Sequence, residues 1–407
     1  MTRLARQALV VIYQARLPAD PTWPPGPLIL QEGQIRSTAE ARSEYYNDKA
    51  ARVLYGSAER PRRWHDPSRR VMGGIEVVGV EALRASVAGP DAHGLVAVHL
   101  RPRHGSPIAL LRALAGRRGA PRLDFDPQVL LDGQAVIEST GSPFTISFVA
   151  PGARGLPRLY RQPRYWRWAA ARQWLWTLAS RTTLADYPPD PGNLEPREDE
   201  IIRLSSDWHA VVLRDGMGVV GIRPDQGRDD KFFGYAELYL RSIYLDAILL
   251  GLMQQQGITH LEKRMAAALD SSLTATMADL EGRVSAFRHH LWAQHLTPHG
   301  IPNRVLTAYQ RQHALRERFE QILLDISDFN RLNRDEENRY VNSAVVVFTL
   351  ATVPTGIALA LLQVLETHNP WLFAAVGFAC ALLTAVLLRT RSARVALRAL
   401  RRRFTIT

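Results

Sequence analysis

Ser343-Ala-Val-Val-Val-Phe-Thr-Leu-Ala-Thr-Val-Pro-Thr-Gly-Ile-Ala-Leu-Ala-Leu-Leu-Gln-Val-Leu365 carries no charge over 23 residues, and its reading decides the fold. A second apolar run, Trp371 to Leu388, carries none over 18, and the segment between them, Glu366-Thr-His-Asn-Pro370, is short and polar. A bilayer core of ~30 Å takes about 20 apolar residues at a rise of ~1.5 Å each. The sequence therefore predicts a C-terminal two-helix transmembrane hairpin over 341–388, the only such segment in the 407 residues.

Working outward, seven Arg follow the second run (Arg389, Arg391, Arg394, Arg398, Arg401, Arg402, Arg403), and Arg331, Arg334 and Arg339 precede the first. The connecting loop has no Lys or Arg. Basic residues beside short loops stay on the cytoplasmic side, so a multi-pass protein of the inner (plasma) membrane with both termini cytoplasmic is expected. The net charge is +12, and more than half of it is the 389–407 tail, which suits anionic lipid headgroups as partners. Nucleic acid is not an expected partner. The single cysteine, Cys380, can form no intrachain disulfide. Ala8–Tyr13 is too short for a secretory apolar segment and reads as a buried first strand.

Residues 1–234 alternate short strand-like and helical stretches and read as a cytoplasmic α/β domain. The strands are Leu9–Tyr13, Ile75–Val80, Leu95–Leu100, Phe144–Val149, Ala210–Leu213 and Val219–Ile222; Ile108–Ala115 and Tyr165–Ser180 look helical. From 235 to 340 the texture is helical: Tyr235–Gln256, Ile258–His295 and a long stalk from Asn303 that meets no Gly or Pro before Pro354. The predicted fold class is thus α+β, followed by long stalk helices and the membrane hairpin.

Leu315, Phe319, Ile322, Ile326 and Phe329 step by four and three, which is a heptad seam. Elsewhere on the same helix a polar series recurs at sevens: Asp328, Asp335, Asn342, Thr349, Gly356 and Gln363, with Thr352 between. Polar groups in a span face protein or water. Around a symmetry axis they would give carboxylate rings at a cytoplasmic mouth, then amide, hydroxyl and backbone-exposing rings, a lining suited to cations. Gly, Thr and Asn also serve plain helix–helix contacts in lipid.

A large α/β domain, a stalk helix running into the first of two C-terminal spans, a short outer loop and a basic end together resemble the CorA family of magnesium transporters. Asn342-Ser-Ala-Val-Val-Val-Phe-Thr-Leu-Ala-Thr-Val-Pro354-Thr-Gly-Ile is similar to that family's first span. The resemblance implies a homopentamer gated by its cytoplasmic domain, with Asn342, Thr349, Thr352 and Gly356 lining the pore and Asp328 and Asp335 at its mouth. It implies Mg²⁺ or a similar divalent cation as the transported or regulatory ion, and no other cofactor. Where the family carries Tyr-Gly-Met-Asn, this chain has Leu365-Glu-Thr-His-Asn369-Pro-Trp, leaving Glu366 and Asn369 to meet an ion at the outer end. A signal- or nucleotide-gated membrane effector and a non-conducting anchored scaffold are the alternative functions.

Other constellations carry less. Gly216-Met-Gly218-Val-Val-Gly221 spells a dinucleotide fingerprint, but its flanks read as a β-hairpin. Arg164, Trp166 and Trp168 interleave cation and aromatic and form a possible ligand site, although an amphipathic core helix accounts for the same residues. The His289, His290, His295, His299 group has no carboxylate or cysteine set beside it, and Asp225, Asp229 and Asp230 read as a turn. No nucleophile–base set, phosphate loop or paired catalytic carboxylates occurs at supporting spacing, so an enzyme is not expected.

Overall fold

The central strand, Leu4–Arg16, is buried without interruption from Ala8 to Tyr13, because helices cover both faces of the sheet it anchors. The structure, a computed structural model, describes residues 4–364 except 86–92, 104–105, 122–125, 139–141, 191–197, 228–229, 272–273 and 294; beyond 364 it describes only residues 371, 375, 378, 379, 382 and 386.

In chain order the strands are β1 (Leu4–Arg16), β2 (Gln31–Glu32), β3 (Ile35–Arg36), β4 (Arg63–Asp66), β5 (Arg70–Met72), β6 (Ile75–Arg84), β7 (His93–Pro102), β8 (Val136–Ile137), β9 (Phe144–Pro151), β10 (Ile202–Arg203), β11 (Trp208–Leu213) and β12 (Gly216–Gly221). The helices are α1 (Ala39–Ser43), α2 (Asp48–Tyr55), α3 (Pro107–Leu114), α4 (Ala170–Ser180), α5 (Lys231–Tyr239), α6 (Leu245–Ser271), α7 (Thr274–His290), α8 (Ile301–Gln312) and α9 (Leu315–Val364). The main sheet runs β10-β11-β12-β9-β1-β7-β6-β4, with β5 on β6 and β8 on β1. Every pair is antiparallel except β12 with β9, so the class is α+β with a mixed sheet.

One face packs on α3 and α4 around Leu9, Val11, Val98, Leu100, Trp174 and Leu178. Two of the fingerprint glycines, Gly216 and Gly218, serve this packing, whereas Gly221 lies against Phe233 of α5. β11 and β12 form the expected hairpin, and a Cβ on Gly218 would stand 2.7 Å from the Leu175 carbonyl of α4. The opposite face carries α5, α6 and α8. Local chemistry starts the helices: Asn47 caps α2 by accepting from Ala50 N at 2.8 Å, and Asp230 caps α5 through Phe233 N.

Two compact units divide the chain, 1–320 and 321–407, so the sheet and helices α1–α8 belong to one unit, and most of α9 belongs to the other. The helix predicted to start at Asn303 is broken. α8 ends at Gln312, and Ala314 takes a left-handed backbone (φ 48) before α9 begins. No Gly or Pro signals this break. Leu315, Phe319, Ile322 and Ile326 of the seam are buried, and Phe319 stacks on Phe287 and Trp292.

The transmembrane hairpin is corrected. Among the described residues no helix is long and apolar enough to cross a membrane. The first half of α9 is rich in Arg, Asp and Glu, and past residue 340 its described side chains mix Val345, Phe348 and Val353 with Asn342, Thr349, Thr352 and Gly356. The charge-free run meets the length that a span needs, but length alone does not make a span. The multi-pass inner-membrane location falls with it. Most of the second run, the outer loop with Glu366 and Asn369, and the basic tail lie outside the described residues.

Candidate functional site

Between the sheet and the helices on its second face lies a layer of buried charge. Arg63 of β4, fully buried, donates to both Glu81 of β6 and Asp246 of α6. Arg42 of α1 reaches the same two carboxylates, Asp246 at 3.3 Å and Glu81 at 3.4 Å, and donates to the Leu28 carbonyl at 3.0 Å. Tyr55 donates to Asp246 at 2.6 Å, and the Leu28 N–H donates to Glu81 at 2.7 Å. Two cations thus face two anions, with further donors filling the carboxylate lone pairs, which is the condition for burying charge.

The electrostatics follow from this. Burial alone would raise the Glu81 carboxyl, but Arg63 and Arg42 outweigh it and hold it well below the usual range. Burial likewise opposes the charge on Arg63, and Asp246 and Glu81 more than restore it. His99 of β7 is buried with Nε2 3.9 Å from Glu81, too far for a hydrogen bond, and burial pushes its pKa down.

A second knot adjoins the first. Glu237 of α5 accepts from Arg101 at 2.7 Å and Arg241 at 3.1 Å, with Arg6 of β1 at 3.6 Å. Arg241 also donates to the Leu100 carbonyl at 2.7 Å. Between Glu237 and Asp246 the chain widens into a π-turn over Leu240–Tyr244, a feature frequent at functional positions. The three aspartates read as a turn are split. Asp225 takes Arg6 at 3.0 Å, Arg223 grips Asp230 at 2.6 and 2.9 Å and holds its pKa at about 2, and Asp229 lies outside the described residues. The first knot is sealed from solvent while the second reaches the surface through Arg101, and in both every carboxylate is held by guanidinium groups, so what they do is mechanical: they fasten α1, α5 and α6 to the sheet.

The predicted site residues fall in two places. Asp328, Asn342, Thr349, Thr352 and Gly356 are all exposed on α9. The hydroxyls of Thr349 and Thr352 donate back to the carbonyls of Val345 and Phe348 at 2.7 and 2.9 Å. Asp335 and Gln363 are helical positions whose side chains lie outside the described residues. Arg164, Trp166 and Trp168 separate: Trp168 is buried in a cluster with Tyr160, Tyr165 and Trp176, while Arg164 and Trp166 are on the surface. No group of His, Cys, Asp or Glu among the described residues is arranged to hold a metal. An open cleft of about 200 Å³ beside α8 is lined by Asp199, Glu200, His295, Arg304 and Arg311, charges of both signs.

Sequence reasoning missed the buried layer. Its signal was present as lone charges inside apolar runs, such as Glu81 in Val77-Val-Gly-Val-Glu-Ala-Leu83 and Asp246 in Ile243-Tyr-Leu-Asp-Ala-Ile-Leu249. Comparison with known proteins adds no relative: no family profile, curated protein or solved structure matches the chain.

Proposed function

We propose that the protein is a homo-oligomeric handler of divalent cations, Mg²⁺ or a similar ion, in which α9 helices of several copies surround a shared axis. The observation that carries this reading is the seven-residue series: Asp328, Asn342, Thr349 and Gly356 lie exposed on one continuous helix. Beside it, about a quarter turn away, Val341, Val345 and Phe348 are also exposed at steps of four and three, the spacing of a seam that a neighbouring helix covers. Packing the apolar stripe between copies would turn each polar position into a ring, and rings of carboxylate, amide and hydroxyl oxygen suit hard cations. The CorA resemblance supports the same arrangement and assigns the α+β unit a regulatory role.

Light scattering on the size-separated full chain, with calorimetric titration of Mg²⁺ and Co²⁺, tests it. A discrete oligomer that Phe348→Asp dissociates, with cation binding weakened by Asp328→Asn, is the expected result. A monomer at every concentration rejects the reading.

A further inference from the structure

Between Gly152 and Ala185 the chain has seven Arg and no Asp or Glu. Arg154, Arg158, Arg161, Arg164 and Arg167 are exposed, and among the described residues none of Arg154, Arg161, Arg164 and Arg167 pairs with a carboxylate. Trp166 stands in their midst with 65% of its surface exposed. The segment is nonetheless firmly built. Tyr165 and Trp168, flanking the exposed indole, are anchored in the aromatic cluster with Tyr160 and Trp176. Arg158 donates to the carbonyls of Trp166 and Trp168 at 3.3 and 3.2 Å, and the Trp166 indole N–H donates to the Arg161 carbonyl at 3.3 Å.

We propose that this surface binds single-stranded nucleic acid, with Trp166 stacking on one base and Arg154, Arg161, Arg164 and Arg167 on the phosphates. Three observations select this ligand. Closely spaced like charges on a fixed scaffold repel one another and are relieved by a polyanion. A large indole held exposed between them offers a flat face, which an unstacked base uses and a duplex does not. The surface is open, so an extended strand gathering several point contacts fits it better than a mononucleotide that needs enclosure. The inference is independent of the cation reading, which uses α9 alone.

Fluorescence anisotropy of labelled oligothymidine with the full chain tests it across a salt series. Four phosphate contacts on a single strand predict log K falling with log salt at a slope of about −3. Trp166→Ala is expected to weaken binding roughly tenfold with the slope unchanged, and Trp166→Phe to recover most of the loss, since stacking is separable from charge. Arg161→Gln with Arg164→Gln and Arg167→Gln should flatten the slope by about 2. Thermal melting of each variant, all altered at exposed positions, checks that the fold is kept. Absence of binding at low salt overturns the proposal. So does equal competition by polyglutamate or by anionic phospholipid vesicles when Trp166→Ala is without effect, which would assign the patch to an acidic protein or to a lipid surface.

Discussion

The Arg42 guanidinium lies 3.3 Å from the Asp246 carboxylate although 204 positions separate them in the chain. Each is buried, and each depends on the other, on Arg63 and on Glu81 for its charge to be tolerated. Removing one member of such a set strands the rest without solvent.

Asp246→Ala is therefore expected to cost about 3–5 kcal/mol, because it leaves Arg42 and Arg63 buried against Glu81 alone. Chemical denaturation measures this. Asp246→Asn, which keeps the shape and loses the charge, should cost nearly as much; a loss under ~1 kcal/mol would show that solvent reaches the layer.

Acid should weaken the fold in two stages. His99 has a folded pKa below its ordinary 6.5, so the unfolded chain takes up its proton first, and stability falls as pH drops below that value. Glu81, depressed from 4.5, contributes stability that is lost as pH falls further toward its folded pKa. His99→Gln is expected to reduce the upper stage, to which His209 and His313, also lowered by burial, contribute, and to leave the lower one. Denaturation midpoints across the acid range distinguish the two.

Two glycines should respond oppositely to alanine. At Gly218 the new Cβ meets the Leu175 backbone carbonyl at 2.7 Å, which nothing flexible can relieve, and a loss of about 1–3 kcal/mol is expected. At Gly282, exposed within α7 and open on all sides, alanine should add about 1 kcal/mol through helix propensity. Thermal melting of the pair checks both signs.

The neighbouring tryptophans should also part company. Trp168→Ala removes a fully buried ring that meets Tyr160, Tyr165 and Trp176, at a cost of about 3–5 kcal/mol. Trp166→Ala, on the surface, should change stability by no more than about 0.5 kcal/mol. Equal effects in denaturation would mean that the segment packs as one piece.

The strands were legible wherever burial on both faces left an unbroken apolar run, as at Leu9–Tyr13 and Phe144–Val149. Their order was not, since the parallel pairing of Met217 with Ile146 depends on which edge remains open after the antiparallel strands have paired. The break at Ala314 carries no Gly or Pro to announce it, and the uncharged run after Asn342 suggested a span that the described helix does not make. The buried layer was not read from the sequence: lone charges at Glu81 and Asp246 inside apolar runs were its local trace, and partner choice across 204 positions is written in the fold and not in any local pattern.

The place of β1 in the sheet has a consequence for synthesis. Its neighbours are β7 and β9, both made much later. At ribosomal rates an apolar strand with two open hydrogen-bonding edges waits roughly 5–15 s before β7 has been made. A nascent chain in that interval presents a ready template for mispairing, so the yield of this protein in a cell should depend on chaperone supply during translation more than on the stability of the finished fold.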